Sequence, residues 1–393
     1  MIVSEIAVQI RGRIPASAIR AEDYVSTDNM RPNFGGIATS SSMPQSGNVT
    51  AYQVGDILLS NIRPYFRKTW LATHSGGCNA DVLCIRANPK KCLPQYLYYL
   101  FTTDNFVTDY LKSCKGAKMP RGDVNRLLNY EFNLPDLPTQ LRIAGVLGSI
   151  DEKIELNRKK IAELEALAKV IYDYWFVQFD FPNANGKPYK SSGGKMVWNK
   201  QLKREVPDGW EVGLLSDMAM ITMGQSPQGH SLNEMGLGTL FFQGSSDFGE
   251  VVPADRVYTT SPTRMAQSGD ILLSVRAPVG ASNIALLPCC IGRGLASLRG
   301  KGCSNTFIHQ SLALVKTRFE SKNVDGTTFG SLSKDELRNL PILKPTSPML
   351  HGFDAITNPI ENSILDLVRQ IRELVALRDT LLPLLMNGQV VVG

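Results

Sequence analysis

The sequence predicts a mixed α/β fold (α+β in type) in which two globular domains alternate with two long helices. Three observations predict it. One unit occurs twice along the chain, each copy begins with short apolar runs between turn-forming residues, and each copy ends in a heptad pattern. The chain has 393 residues, which is enough for more than one hydrophobic core. We therefore expect a pseudo-two-fold internal repeat.

The repeat is visible as a collinear series of matches. Residues 55–60, GDILLS, recur at 269–274, and residues 4–7 match 216–219. The heptad residues that begin at Ile150 recur about 210 positions later. The offset between the copies changes by only a few residues over some 160 positions, so the copies share one frame while their loops differ in length.

The first part of each copy predicts a globular domain with strands and helices. Glycine followed by aspartate before an apolar run is typical of a turn that enters a strand. A helix is predicted at 94–110, where aromatic and leucine side chains suit one buried face. The adjacent Cys289 and Cys290 suit strand packing. Short apolar runs predict strands at 57–59, 82–85, 271–273 and 311–315.

The second part of each copy predicts a long helix. Apolar residues step by alternating threes and fours with charged residues between them, which is a heptad seam. A helix of about 36 residues is about 54 Å long, too long to bury its stripe on one small domain. We therefore predict an antiparallel coiled coil, with Asn157 as the polar residue that sets its register. The predicted packing residues are Ile150, Ile154, Asn157, Ile161 and Leu164 in the first helix and Ile360, Ile364, Leu367, Ile371 and Leu374 in the second.

The turn-rich and basic segment between the copies is predicted to be a linker. The complete division comprises a first globular domain at 1–138, a central helix at 139–179, the linker at 180–209, a second globular domain at 210–347 and a C-terminal helix at 348–393.

Composition narrows the class of protein. The net charge of +6 permits binding to a polyanion. No uninterrupted apolar stretch of roughly 20 residues and no signal peptide is visible, so we expect a cytoplasmic protein without a membrane span. The seven cysteines form no C-x-x-C pair and the four histidines lie at no ligand spacing from them, which predicts reduced thiols and no metal site.

Sequence motifs of catalysis are absent. The chain has no phosphate-binding G-x-x-x-x-G-K-[ST] loop, no dinucleotide fingerprint, no H-E-x-x-H and no G-x-S-x-G elbow. The signature of amino methyltransferases is also missing. We therefore predict no catalytic residue.

Several motifs resemble the specificity subunit of type I restriction–modification enzymes, and the resemblance covers essentially the whole chain. In the first unit they are LPDLPTQ at 134–140, YDYWF at 172–176 and PDGWE at 207–211. In the second they are GQSP at 224–227, FQG at 242–244, residues 269–280 and IGRGLA at 291–296. The chain departs from the family pattern at the second helix, where LKPTSP at 343–348 replaces the Leu-Pro-x-Leu-Pro-x-Gln entry.

The resemblance implies two target-recognition domains, each reading one half of a split duplex DNA sequence, and two spacer helices that act as a ruler. It implies a non-catalytic subunit that holds no cofactor. Two modification subunits, which bind S-adenosylmethionine and methylate adenine, would dock on it, and ATP-dependent restriction subunits would join that core. Since the loops of the two copies differ, we expect an asymmetric target.

A DNA reader needs cations for phosphates and forked or amide groups for base edges. The predicted phosphate contacts are Arg63, Arg67, Lys68, Lys115, Lys118 and Arg121 in the first copy and Arg276, Arg293 and Arg299 in the second. The predicted base contacts are Gln225, Ser226, Gln243 and Arg293. Two other classes stay open: an orphan or methylation-only recognition subunit, and a scaffold that binds proteins and not DNA.

Overall fold

The computed structural model describes residues 1–38, 43–116, 118–324, 331–390 and 392, with the backbone alone for 315–324. The chain forms two compact units, Met1–Glu155 with Arg372–Gly393 (unit 1) and Leu156–Ile371 (unit 2). Each unit therefore combines one globular domain with parts of two long helices. No helix in these ranges combines the length and the apolar character that crossing a bilayer requires.

Unit 1 contains two four-stranded sheets and three short helices beside its share of the long ones. The first sheet has the antiparallel order β1-β8-β5-β6, and the second has the order β2-β4-β7-β3, in which β3 and β7 are parallel. The elements are β1 (Ala7–Ile10), β2 (Arg13–Pro15), β3 (Tyr24–Val25), β4 (Asn48–Tyr52), β5 (Ile57–Ser60), β6 (Thr69–Leu71), β7 (Gly76–Cys78), β8 (Val82–Ala87), α1 (Pro94–Thr102), α2 (Asp104–Leu111), α3 (Val124–Leu128) and α4 (Leu137–Tyr172).

Unit 2 repeats the first sheet and adds a second sheet of its own. Its antiparallel sheet β12-β20-β17-β18 has the same order as β1-β8-β5-β6, so the internal repeat extends to the topology. A five-stranded sheet, β13-β15-β14-β19-β16, takes the place of the second sheet of unit 1. The strands are β9 (Met196–Asn199), β10 (Arg204–Pro207), β11 (Glu211–Leu214), β12 (Ala219–Met223), β13 (Leu232–Asn233), β14 (Thr239–Phe242), β15 (Val257–Thr259), β16 (Met265–Ala266), β17 (Ile271–Ser274), β18 (Ser282–Ile284), β19 (Cys289–Ile291), β20 (Leu295–Gly300) and β21 (Pro341–Lys344). The helices are α5 (Leu215–Met218), α6 (Asn305–Val324), α7 (Lys334–Arg338) and α8 (Ser347–Met386).

The repeated GDILLS strand is apolar throughout because both of its faces are buried. In unit 1, Ile57 and Leu59 pack with the helices, while Leu58 packs against the second sheet with Tyr52 and Trp70. Successive side chains of a strand point to opposite faces, so a strand between two layers loses the usual polar alternation. In unit 2 the corresponding residues divide between two clusters in the same way.

The Gly-Asp pair before each of these strands has a defined structural role. Gly55 and Gly269 adopt φ values of +87° and +84°, the left-handed region that glycine enters without a Cβ clash. The following aspartates are buried and accept hydrogen bonds from the backbone three residues earlier. Asp56 also pairs with Arg86, and Asp270 pairs with Arg299, each at 2.6 Å. The motif therefore joins a turn to a buried ion pair.

Two predictions about short helices and strands were wrong. The single helix expected at 94–110 is divided into α1 and α2, because Thr103 between them is extended and its hydroxyl caps α2 by accepting from the Phe106 amide. The apolar run at 311–315 lies inside α6 and not in a strand. The buried residues Phe307, Ile308 and Leu312 are spaced as on one face of a helix. An apolar run of five residues is too short to distinguish this spacing from that of a strand.

The segment predicted as a linker is part of the fold of unit 2. It contains the hairpin of β9 and β10, and Phe181 stacks on Tyr189 and Trp210 with ring centroids 4.8 and 4.9 Å apart. Arg204 lies 4.9 Å from the Phe179 ring and donates to the Phe176 carbonyl oxygen. The prediction of a separate linker is therefore corrected. It rested on the turn-forming and basic residues of the segment, and these do not indicate the buried aromatic contacts.

The long helices begin and end close to the predicted positions. α4 ends at Tyr172 and continues as a single π-helical turn, Asp173–Val177, so the helical segment is shorter than 139–179 at its end. α8 ends at Met386 and not at the chain terminus, and Gly388 follows with a φ of +68°. A glycine in this conformation is the common stop signal of a helix.

Within each unit, α4 contacts α8 through side chains. In unit 1, Asp151 forms an ion pair with Arg378 (3.0 Å) and also accepts a hydrogen bond from Tyr99 (2.8 Å). In unit 2, Asn157 donates to Gln370 (3.2 Å), and Ile161 shares a cluster with Ile364, Leu365 and Val368. Of the predicted packing residues, Ile150, Ile154, Asn157, Ile161 and Ile364 are buried, whereas Leu164, Ile360, Leu367, Ile371 and Leu374 are half-buried.

The two helix starts are fastened to their domains by different residues. Gln140, fully buried, donates to the carbonyl oxygens of Lys91 and Pro135 and accepts from the Leu93 amide. At the start of α8, Asp354 accepts from the Ser304 amide with both carboxylate oxygens. The missing Leu-Pro-x-Leu-Pro-x-Gln entry is thus replaced by another hydrogen-bonded attachment.

We expect Asn157→Leu to raise the free energy of unfolding by about 1–2 kcal/mol. The Asn157 Oδ1 atom is buried and has no hydrogen-bond partner among the described residues, which is costly, and leucine would replace it with apolar contact. Gln370 is exposed, so its amide can turn to water. Urea unfolding followed by circular dichroism would measure the change. A lower midpoint in Asn157→Leu than in the native chain would contradict this expectation.

Candidate nucleic-acid interface

All but one of the functional residues predicted in the two units lie at one corresponding end of the repeated sheet. In unit 2 this end is where β17 stops and β20 begins, because Ser274 is paired with Leu295. In unit 1 it is where β5 stops and β8 begins, because Ser60 is paired with Val82. Loops at this end therefore occupy equivalent positions in the two units while differing in sequence.

Three loops of unit 2 meet at this end and carry four of the predicted residues. Ser226 donates through its hydroxyl to the Gln243 side-chain oxygen (3.0 Å) and accepts from the Arg293 amide (3.4 Å). The backbone amide of Gln225 donates to the Ile291 carbonyl oxygen (2.9 Å). Because Gln225, Gln243 and Arg293 are exposed, these contacts present two amide groups and one guanidinium to solvent on a single surface.

Close packing of the loops depends on glycine at two positions. A Cβ at Gly224 would lie 2.1 Å from the Gly292 carbonyl oxygen, and a Cβ at Gly294 would lie 2.6 Å from the Gln243 carbonyl oxygen. Both distances are shorter than real contacts allow. The glycines of GQSP and IGRGLA thus bring the Gln225 and Arg293 loops together, which gives these motifs a physical reason.

Arg276 joins the same surface from the end of β17. It lines a cavity of about 230 Å³ with Gln243, Ser245 and Ser246, and it is exposed. The serine pair was not predicted, although its position directly after Gln243-Gly244 is a signal that the sequence carries. Cation, amide and hydroxyl groups in one concave surface are suited to phosphate oxygens and base edges.

Arg299 does not lie on this surface, and its predicted role as a phosphate contact is corrected. It is paired in register with Met220 near the other end of β20, and its guanidinium binds the buried Asp270 carboxylate. Charge alone did not distinguish it from Arg293, because the partner is 29 residues away in the sequence.

The six predicted cations of unit 1 lie on two loops that are hydrogen-bonded to each other. The backbones of Ile62 and Lys115 each form an isolated antiparallel β-bridge with the backbone of Arg121. The Arg63 backbone amide donates to the Pro120 carbonyl oxygen (2.8 Å). Lys115 and Lys118 are exposed. The two loops therefore lie side by side, and their predicted cations belong to one basic surface.

Besides Arg63, which donates to the Lys118 carbonyl oxygen (3.5 Å), three of these cations have closer partners within the protein. Arg67 forms an ion pair with Asp104 (2.7 Å), and Arg121 forms one with Asp81 (2.8 Å). Lys68 donates to the Thr27 carbonyl oxygen (2.6 Å), and partial burial lowers the pKa of its ammonium group. These three side chains contribute to the rigidity of the loop as well as to its charge. That any of these residues touches DNA stays a prediction.

Comparison with known proteins identifies the family. Residues 19–166 match the family model described as the type I restriction modification DNA specificity domain. The chain is 32% identical over 306 residues to the putative type I restriction enzyme MjaX specificity subunit of Methanocaldococcus jannaschii, covering 74% of this chain and 68% of that protein. It is 22% identical over 408 aligned positions to the HindI specificity subunit of Haemophilus influenzae, covering 86% and 87% of the two chains.

A solved structure supports the fold. The S subunit of the type I restriction-modification system from M. genitalium superposes with a TM-score of 0.55 at 14% identity, covering 98% of this chain and 95% of that one. The mixed α/β architecture with long helices is therefore confirmed. The family model and the relatives named above confirm the resemblance seen in the motifs. By its identity to a relative that it matches over more than two thirds of the length, the chain belongs to the specificity subunits of type I restriction–modification systems.

Proposed function

We propose that this subunit binds a bipartite, asymmetric duplex DNA sequence, one half-site for each unit. One observation carries the proposal: the same sheet occurs twice, and the same end of it presents different groups in the two units. Unit 2 presents Gln225, Gln243 and Arg293, whereas unit 1 presents a cluster of lysines and arginines. Different loops on a shared frame are suited to reading two different sequences.

We further propose that α4 and α8 pair as an antiparallel coiled coil that sets the unread spacer between the half-sites. Contacts in each unit support it, since Asp151 meets Arg378 in unit 1 and Asn157 meets Gln370 in unit 2. A heptad seam with a polar residue at one layer is typical of helices that need a single register.

The remaining roles belong to partner subunits. We propose that two modification subunits, which bind S-adenosylmethionine, dock on this chain and that ATP-dependent restriction subunits join the complex in the cytoplasm. This chain then contributes recognition, while methylation and cleavage occur on its partners. Binding of the complex to duplexes of known sequence, measured across a range of salt concentrations, tests the proposal. Sequence preference would support it, whereas indifference to DNA would favour a protein-binding scaffold.

Adding one heptad to both helices is expected to lengthen the unread spacer. We would insert seven residues after Asn157 in α4 and seven before Gln370 in α8, so that the paired layers remain matched. Seven helical residues add about 10 Å, the length of about three base pairs. Mapping of methylated adenines in cells that carry the cognate modification subunits would reveal the new spacer.

The same mapping supplies the control for the insertion. Lys159→Ala changes an exposed residue of α4 and should leave both the spacer and the half-sites as they are. If the complex that contains the lengthened chain methylates altered half-sites with the original spacer, the helices do not set the distance.

A further inference from the structure

The loop between β5 and β6 exposes two adjacent aromatic side chains. Tyr65 and Phe66 are 49% and 41% exposed, and their ring centroids lie 4.7 Å apart. They occupy a single 3-10 turn, Pro64–Phe66. The free energy falls when large aromatic side chains are removed from water. An adjacent pair exposed on one turn therefore indicates a binding surface.

The backbone of this turn is held in place from both sides. Arg63 and Arg67, which flank it, have φ values of 49° and 53°, a left-handed conformation that costs free energy for any residue but glycine. The Asn33 amide donates to the Phe66 carbonyl oxygen, and the Phe34 amide donates to that of Arg67, both at 2.9 Å. The rings are therefore presented on a fixed backbone, which lowers the entropy lost on binding.

The surroundings of the rings are cationic. The Lys68 ammonium lies 5.8 Å from the Phe66 ring centroid, and Arg63 donates to the Lys118 carbonyl oxygen on the adjoining loop. Met119 on that loop is 52% exposed. The carboxylates of Asp81 and Asp104 are paired with arginines of the same loops. Apolar side chains with cations around them are complementary to duplex DNA, in which the stacked bases lie between two phosphate backbones.

The corresponding loop of unit 2 argues against a protein partner that binds both units alike. There, Arg276 is followed by Ala277 and Pro278, and the next residue, Val279, is buried. The cation at the start of the loop is thus present in both units, while the exposed aromatic pair occurs in unit 1. The half-site is the ligand that must differ between the two units. A feature that differs between the units is therefore suited to contact with the half-site.

We propose that Tyr65 and Phe66 form an apolar wedge that enters the duplex at a base step of the half-site bound by unit 1. Arg63, Lys115 and Lys118 then contact the flanking phosphates. This inference rests on the proposed function, since it requires that unit 1 bind DNA. Side chains inserted in this way partly unstack the neighbouring bases, and flexible pyrimidine–purine steps accept them most readily.

The test uses the full chain assembled with its modification subunits. Tyr65→Ala combined with Phe66→Ala should weaken binding to the cognate duplex by roughly 10- to 100-fold, since stacking on an aromatic side chain is of that order. The salt dependence of binding should stay unchanged, because no cation is removed. Tyr65→Leu with Phe66→Leu should restore part of the affinity, and Trp198→Ala, an exposed aromatic in unit 2, should have no effect.

Fluorescence of 2-aminopurine, placed at each position of either half-site, locates the wedge. A signal that the double alanine variant loses in one half-site and keeps in the other supports the proposal. Unchanged DNA affinity together with weaker binding of modification subunits would overturn it and assign the rings to a protein interface. If the native complex itself shows no sequence preference, the proposed function fails, and this inference fails with it.

Discussion

Asp270→Ala is expected to lower the free energy of unfolding of unit 2 by about 3 kcal/mol, the largest stability effect that we expect from a single substitution. The carboxylate is buried and accepts from Ser297 Oγ (2.7 Å), the Gln267 amide (2.9 Å) and Arg299 Nε (2.6 Å). Removing it leaves the buried Ser297 hydroxyl without an acceptor, at about 1–3 kcal/mol, and the partly buried Gln267 backbone amide loses its acceptor at a smaller cost. Arg299 adds little, because its partly exposed guanidinium can reach water.

The repeat supplies the matched control for this prediction. Asp56 has similar surroundings in unit 1, where it accepts from the Gln53 backbone amide and pairs with Arg86, while the Cys84 thiol (3.5 Å) donates in place of the Ser297 hydroxyl. Hydrogen exchange measured by mass spectrometry should show faster exchange at β17 and β20 in Asp270→Ala, and at β5 and β8 in Asp56→Ala. Asp270→Asn retains one acceptor oxygen and should cause a smaller loss. Equal protection of β17 and β20 in the native chain and in Asp270→Ala would refute the structural role given to this carboxylate.

Replacing Gln243 and Arg293 together by alanine is expected to relax one half of the recognition sequence and leave the other half unchanged. A bidentate contact between a side chain and a base contributes about 1–3 kcal/mol of discrimination, so each residue that reads a base accounts for roughly 10-fold or more. Both side chains are exposed. Ser226 orients the Gln243 side chain by donating to its amide oxygen, and it accepts from the backbone amide of Arg293.

Mapping of methylated adenines measures this change at both half-sites in one experiment. Lys200→Ala removes one charge from an exposed position of unit 2, outside the three loops, and should leave the recognised sequence intact. Ser226→Ala should shift the preference less than the double substitution, because it removes the orienting hydrogen bond and not the reading groups. A double variant with both half-sites unchanged would exclude these residues from base recognition.

Much of the fold could be predicted because its signals are local in the chain. The heptad spacing from Ile150 to Leu164 predicts a helix whatever that helix packs against, and four of the five seam residues named there are buried. The repeat was visible for the same reason, since a strand buried on both faces keeps an unbroken apolar run. Spacing did not resolve the second helix as well, because Leu365 and Val368 are buried beside the predicted Ile364, while Leu367 is half-buried.

The candidate site shows the same division between local and distant information. Gln225, Ser226, Gln243 and Arg293 could be proposed from residue type and from the glycines beside them. That they meet depends on the pairing of β14 with β19, and no local pattern reports which strands pair. Likewise, Arg293 and Arg299 are six positions apart with the same charge, yet one is exposed and the other binds a buried carboxylate.

The duplication, the two long helices, the family and the residue types available for binding DNA could all be inferred from the order of the amino acids, because periodicity, motif and charge are properties of neighbouring residues. Three features became visible in the folded chain: the predicted linker is folded, Arg299 binds a buried carboxylate, and Tyr65 and Phe66 are exposed among cations. Burial and ion pairing depend on segments far apart in the chain, and their contacts form only when the sheets assemble.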